Sequence, residues 1–126
     1  MKNIVIRIGA LELRAKLNGS QTAGLVWDNL PIKSFTSVWG QEIYFQIPIK
    51  CDLEEGFSSE TAEIGDLGYW PEGDCFCIFF GSTPISKPGE IRPASNINII
   101  GKIEGDWGVL KSVGENETVL IEEDEQ

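Results

Sequence analysis

The chain has 126 residues, 41% of them hydrophobic, a length that fits one domain with one core and needs no disulfide or metal for stability. Ten Lys and Arg residues against twenty Asp and Glu residues give a net charge of −10, so we expect neither nucleic acids nor anionic membranes as partners. There is no histidine, which excludes Ser-His-Asp and Cys-His catalytic machinery.

The cysteine count and the chain ends suggest an intracellular protein. Three cysteines, an odd number, occur with no secretory leader before Ile4, so we expect reduced thiols and a cytoplasmic location. The apolar runs are too short for a membrane span. We predict one folded domain over residues 1–122 and a disordered acidic tail over residues 123–126.

The first two predicted elements are a β-hairpin and a helix. "NIVIRIGALELRAKLN" alternates apolar and polar residues on either side of Gly9-Ala10, which is typical of a hairpin. In "NGSQTAGLVWDNLP" the apolar residues have helical spacing, with Ser20 as N-cap and Pro31 as stop. This pattern predicts a helix over roughly residues 21–29.

Five further segments have strand composition, and a sixth favours a second, shorter helix. The strands are predicted in "EIYFQIPI", "DLGYW", "CFCIFF", "NINIIGKI" and "ETVLIEE", and the helix lies near residues 107–112 in "DWGVLKSV". Many short strands with two helices indicate an all-β protein, and we expect a closed antiparallel barrel capped by two short helices.

The strand "CFCIFF" is apolar throughout, which predicts that both of its faces are covered. Cys75, Cys77 and Phe79 share one face, and Phe80 lies on the other. Because zinc sites usually take cysteine pairs from turns, we interpret the two thiols as buried and inert, with no metal and no cofactor. Whether one face is the floor of a cleft or only core stays open on pattern alone.

Two other motifs offer groups for a cleft. In "GYWPEGD" the residues Tyr69 and Trp70 should point to opposite faces of a strand, so one of them should lie near a surface. Arg92 in "IRPASN" is one of three arginines. It either holds a ligand carboxylate or carbonyl, or forms a surface salt bridge.

"WGQEIYF", "GDLGYWPEGDCFCIFFGSTP" and "NIIGKIEGD", taken in this order, resemble a small prokaryotic cyclophilin-like family, largely uncharacterised, over residues 4–122. The resemblance implies a closed barrel of about eight antiparallel strands with two helices. Cyclophilins are peptidyl-prolyl isomerases, and their "F-F-I-C-T" strand is similar to residues 79–83 here. That similarity implies that Phe80 lines the pocket, with Tyr69 and Trp70 at its rim.

The resemblance also implies a loss of catalytic groups. The family's catalytic arginine should fall within residues 37–45, which contain none, and Glu42 brings negative charge there instead. The family's pocket tryptophan and histidine fall near Arg92 and Ile97, and neither matches. Without the donor that polarises the prolyl amide, we expect no efficient isomerase activity.

The leading interpretation is therefore a cyclophilin-like binding domain with an aromatic cleft for a peptide or small apolar ligand. The predicted cleft residues are Glu42, Tyr44, Tyr69, Trp70, Phe80 and Arg92. The alternative is a peptidyl-prolyl cis-trans isomerase with a non-standard site that uses Arg92. A third hypothesis treats the aromatics as an interface, for example of a homodimer.

Overall fold

The structure is a computed structural model that describes residues 2–125, and it is built on one antiparallel sheet. Ten strands form this sheet: β1 Lys2–Ile8, β2 Leu11–Leu17, β3 Ile32–Phe35, β4 Ser37–Trp39, β5 Glu42–Gln46, β6 Ser58–Ser59, β7 Asp66–Trp70, β8 Cys75–Phe79, β9 Ile97–Glu104 and β10 Thr118–Glu123. One α-helix, α1 Gln21–Asp28, and one six-residue 3-10 helix, Trp107–Ser112, complete the described fold.

The strands follow the order β3-β10-β1-β2-β9-β7-β8-β5-β4, and β6 pairs with β9 off this path. The predicted hairpin is confirmed, since β1 and β2 pair in register with Ile6 opposite Leu13. The strand predicted over residues 42–49 ends at Gln46, just before Ile47-Pro48, where a proline cannot donate to a ladder.

The predicted closed barrel is wrong. The two edges of the sheet are β3 and β4, and within residues 2–125 no backbone ladder joins them. Thr36 separates β3, which pairs with β10, from β4, which pairs with β5. Its N–H donates to the Glu117 carbonyl, and its hydroxyl donates to the Gly114 carbonyl. A side-chain hydrogen bond from Ser34 Oγ to the Gln46 carbonyl, at 2.8 Å, connects β3 to β5.

The prediction of two capping helices is also corrected. The first is confirmed: Ser20 is the N-cap of α1, and its hydroxyl accepts a bond from the Ala23 N–H at 3.0 Å. The Glu54 carboxylate accepts the N–H groups of Gln21 and Thr22, which have no partner inside the helix. The second segment is a 3-10 helix of six residues, 107–112, in which only Leu110 is buried.

Two apolar clusters lie on opposite faces of the sheet around β8. The main core contains Phe45 and Phe76, whose rings stack at 5.1 Å, together with the apolar residues of β1, β2 and β10 and the buried side of α1. The second cluster contains Cys75, Cys77, Phe79, Ile91 and Ile97. Every residue of β8 is buried, so the prediction that both of its faces are covered is confirmed.

The sheet includes residues close to both ends of the described range, from Lys2 in β1 to Glu123 in β10. Glu123 is the last residue of β10, and the Asp124 carboxylate accepts a bond from Arg14 at 2.6 Å. Met1 and Gln126, which the predicted domain and tail include, lie outside the described residues. No helix within residues 2–125 is long and apolar enough to cross a membrane.

Candidate functional site

A small pocket opens on the face of the sheet that carries the second cluster. We call it the aromatic pocket, and its volume is about 140 Å³. It combines three aromatic side chains with one carboxyl group, one thiol and a few apolar groups. Its lining residues are Trp39, Glu42, Tyr44, Trp70, Cys77, Pro93, Ala94 and Ile97.

Strand register brings the polar and aromatic members together. Glu42 and Tyr44 are two apart on β5 and therefore share a face. Trp39 pairs with Glu42 across a two-residue turn from β4, and Cys77 of β8 pairs with Tyr44. Trp70 of β7 lies opposite Cys75, two residues from Cys77 on β8. Four neighbouring strands, β7, β8, β5 and β4, therefore supply the polar and aromatic members, and β9 adds Ile97.

The turn between β4 and β5 requires glycine at its first position. Gly40 has a φ of +61°, a conformation that glycine adopts readily and other residues rarely adopt. A Cβ at this position would lie 2.9 Å from the Ser82 carbonyl oxygen and 3.0 Å from the Thr83 Cα. This close approach fixes Trp39 and Glu42 against the loop that follows β8.

The same loop covers one side of the pocket and is held by its own polar groups. The Ser86 hydroxyl accepts bonds from the N–H groups of Thr83 and Arg92, both at 2.9 Å. These bonds shape the segment that leads into Pro93 and Ala94. On the opposite side, the Trp70 indole N–H donates to Ser95 Oγ at 2.6 Å, so this ring is tied to the loop as well.

Glu42 is the only charged residue that lines the pocket. It is 6% exposed, and its Oε1 atom is buried without a hydrogen-bond partner among the described residues. Burial raises the pKa of Glu42 to about 7, against a smaller opposite effect from a hydrogen bond with the Cys77 thiol. Near neutral pH this carboxyl group is therefore divided between its protonated and its ionised form.

The two cysteines of β8 behave as the sequence predicts for buried thiols. Cys75 is 7% exposed and Cys77 is 1% exposed, and neither forms a disulfide. Burial raises the pKa of Cys75 to about 11 and that of Cys77 well above its ordinary value. Both thiols are therefore protonated at neutral pH, which makes them poor nucleophiles.

The structure brings together three of the six predicted cleft residues, namely Glu42, Tyr44 and Trp70. Tyr69 and Phe80 lie on the opposite face, in the main core, where the Tyr69 hydroxyl donates to the Ile49 carbonyl at 2.8 Å. The prediction that Tyr69 and Trp70 point to opposite faces is confirmed, and the residue near the surface is Trp70.

Arg92 lies next to the pocket in sequence, but its side chain forms an ion pair. Its Nε donates to Glu90 Oε2 at 2.7 Å, and its Nη2 donates to Glu90 Oε1 at 3.1 Å. Of the two interpretations weighed from the sequence, the salt bridge is the arrangement that the structure contains. The carboxylate binds the Nε and Nη2 edge of the guanidinium in a bidentate pair.

Sequence reasoning missed Trp39, Cys77, Pro93, Ala94 and Ile97 as pocket residues. A signal for Trp39 exists in "WGQE", where glycine opens a two-residue turn and places its flanking residues opposite each other. Pro93 and Ala94 belong to an irregular loop, and no periodicity in the sequence indicates which strand such a loop covers.

A wider surface depression of about 490 Å³ lies between β1, β2 and the end of β10. Its cations are already neutralised, because Arg7 pairs with Glu12 and Glu122 and Arg14 pairs with Asp124. The aromatic pocket, which has an unpartnered buried oxygen and apolar walls, is the stronger candidate for a ligand site.

Comparison with known proteins supports the fold. A family model described as cyclophilin-like matches residues 2–122. The solution structure of the hypothetical protein AF2241 from Archaeoglobus fulgidus is 38% identical, with a TM-score of 0.81, and the match covers 98% of this chain and 95% of that one. No curated protein matches the chain.

A second solved structure, McbB in complex with tryptophan, is 15% identical with a TM-score of 0.73. The match covers 98% of this chain but only 45% of that one. At this identity the likeness concerns the fold alone.

Proposed function

The chain belongs to the cyclophilin-like family, and on this basis we propose that it is a binding domain whose aromatic pocket receives one group of a peptide or small-molecule ligand. The observation that carries the proposal is the pocket itself, with apolar and aromatic walls around a single buried, unpartnered carboxyl oxygen. Ligand sites are typically apolar concavities with a few polar groups that fix orientation.

The size of the pocket limits what it can receive. Its volume is about 140 Å³, and a cavity of about 150 Å³ in another protein binds one benzene molecule. The pocket therefore accommodates one ring or one branched group, such as a single side chain of a peptide. The remainder of a larger ligand would lie outside the pocket, beside Ala94, which lines it and is exposed to solvent.

Isomerisation of prolyl peptides is the alternative function, and it depends on Arg92. The predicted role for this residue is to polarise the prolyl amide, which needs a free donor close to the substrate carbonyl. Arg92 pairs with Glu90 through Nε and Nη2 and does not line the aromatic pocket, where the charged group is an acid, Glu42. Both observations favour binding without efficient isomerisation.

A ligand-detected NMR screen of short peptides and metabolites tests the proposed function. We expect ligands that bind the native protein and no longer bind the Ala94→Phe variant. Ala94 is exposed and lines the pocket, so a phenylalanine there should block it. Asn96→Phe is the matched control, since Asn96 is exposed on the same loop but outside the lining. Hits that persist in the Ala94→Phe variant, or a screen without hits, would contradict the proposal.

A further inference from the structure

We propose that the group received by the aromatic pocket is an alkylated ammonium cation, of the kind carried by choline or by an N-trimethylated lysine side chain. This inference rests on the proposed function and names its ligand class. Two independent features of the pocket support it, the charge of its lining and the nature of its walls.

When Glu42 is ionised, the lining carries a negative charge without a counter-charge among the lining residues. Glu42 is 6% exposed and Oε1 has no hydrogen-bond partner within the described residues. No Lys or Arg lines the pocket, and the nearby Arg92 is neutralised by Glu90. A buried carboxylate normally needs a counter-charge or hydrogen bonds. A ligand cation supplies that counter-charge, whereas an anionic ligand would be repelled.

The walls are suited to a cation that is poorly hydrated. Trp39, Tyr44 and Trp70 contribute three aromatic rings to one pocket of about 140 Å³. Aromatic faces attract cations through the ring quadrupole, and clusters of such rings bind quaternary ammonium groups in other proteins. The Trp70 ring is held in place by its bond to Ser95, and Ser95 donates in turn to Glu72 at 2.8 Å. Part of the wall therefore exists before the ligand arrives.

The surroundings favour the approach of a cation. The whole chain has a net charge of −10, and no Lys or Arg occurs between Cys51 and Ser86, a stretch that includes β7 and β8 of the pocket. A surface of this sign raises the local concentration of positively charged ligands. A strongly hydrated metal ion fits less well, because the lining offers one carboxylate and mostly carbon surface.

The competing interpretation is that Glu42 stays protonated and donates a hydrogen bond to a neutral ligand. Isothermal titration with choline and with its neutral carbon isostere, 3,3-dimethylbutan-1-ol, separates the two. The titration is run at pH 8, above the pKa of Glu42 of about 7 and below that of about 11 for Cys75. A short peptide with one trimethyllysine, and the same peptide with the neutral carbon analogue, form a second pair of probes.

We expect at least one cationic probe to bind about tenfold or more tightly than its neutral counterpart, the scale of a cation in a desolvated aromatic site. Preference for the peptide probe identifies a protein ligand, and preference for choline identifies a small molecule. Glu42→Gln should remove most of this selectivity, while Glu104→Gln, which changes an exposed carboxylate on β9, should leave it intact.

A second variant separates cation binding from simple packing. Trp39→Leu keeps an apolar wall but removes a ring, so it should weaken the cationic probe and leave the neutral one within about twofold. Equal affinity of both members of each pair, or no binding of either cation, would overturn the inference. The proposed function has its own test: it is wrong if the broader screen finds no ligand whose binding is lost in the Ala94→Phe variant, whatever the result with the cations.

Discussion

The carboxyl group of Glu42 is buried, and burial opposes its ionisation, so the stability of the folded protein depends on pH. Its pKa is about 7 in the folded protein against an ordinary value of 4.5. The folded state therefore binds a proton that the unfolded state has lost, and stability falls as the pH rises from about 4.5 to above 7. The stability that the protonated Glu42 contributes is fully present below pH 4.5 and is lost above the pKa of the folded state.

Replacement of Glu42 by glutamine should remove this loss. We expect Glu42→Gln to match the native protein below about pH 4.5 and to exceed its free energy of unfolding by about 3 kcal/mol above pH 7, the size that such a pKa shift implies. Urea unfolding between pH 4 and 8.5 measures the difference. Glu104→Gln, at an exposed carboxylate, is the control. Parallel pH profiles for native and Glu42→Gln proteins would show that Glu42 is not buried as described.

Individual residues of the site could be predicted only in part from the sequence. Alternation along β5 and β7 correctly indicates which residues share a face, and so it groups Glu42 with Tyr44 and separates Tyr69 from Trp70. It does not say which face is the core. The resemblance of residues 79–83 to a family motif predicts Phe80 in the cleft, whereas in the structure Phe80 is 5% exposed in the main core.

The β4–β5 hairpin is the element on which the pocket depends most. Gly40→Ala would force a positive φ on alanine and bring its Cβ to 2.9 Å from a backbone oxygen. We expect a loss of about 1–3 kcal/mol in the free energy of unfolding, from backbone strain and steric conflict. Because Trp39 and Glu42 flank this turn, ligand affinity should fall as well.

The matched control for this variant is Gly24→Ala in α1. Gly24 is inside the helix, and a Cβ there would meet nothing within 4 Å. Alanine is the better helix former, so this change should stabilise the protein by about 0.5–1 kcal/mol. Chemical denaturation measures both variants. A Gly40→Ala variant at least as stable as the native protein would contradict the proposed role of the turn.

Elements with a strong local signal could be predicted from the sequence, and the short ones could not. The β1–β2 hairpin, α1 and β8 follow from apolar periodicity and a cap. The strands β3, β4 and β6 have only four, three and two residues, too few for a period to be visible. Since β3 and β4 are the sheet edges, missing them also hid the absence of barrel closure.

Within residues 2–125 the sheet is open rather than closed into a cylinder. Its edges meet at Thr36, where backbone groups bond to the segment before β10 instead of to each other. Apolar pattern predicted the longer strands, whereas the resemblance to the family implied a closed barrel of about eight strands and the described residues form an open sheet of ten. Closure depends on hydrogen bonds at two short edges, which the pattern does not encode.

At the level of activity, we expect prolyl isomerisation to stay close to its uncatalysed rate, with a barrier of roughly 18–20 kcal/mol. The reason is that Arg92 is engaged by Glu90 and the pocket carries an acid. A coupled isomerisation assay on the native protein and on Arg92→Ala checks this. Robust turnover that disappears in Arg92→Ala would establish the isomerase alternative.

The central claim, that the aromatic pocket is the ligand site, is tested most directly by the four tryptophan indole N–H signals in a ¹⁵N NMR titration with a ligand from the screen. Trp39 and Trp70 line the pocket, whereas Trp27 and Trp107 lie elsewhere. We predict shifts of the Trp39 and Trp70 signals that saturate together, with those of Trp27 and Trp107 unchanged. Saturable binding that moves only Trp27 or Trp107, or none of the four, would contradict the claim.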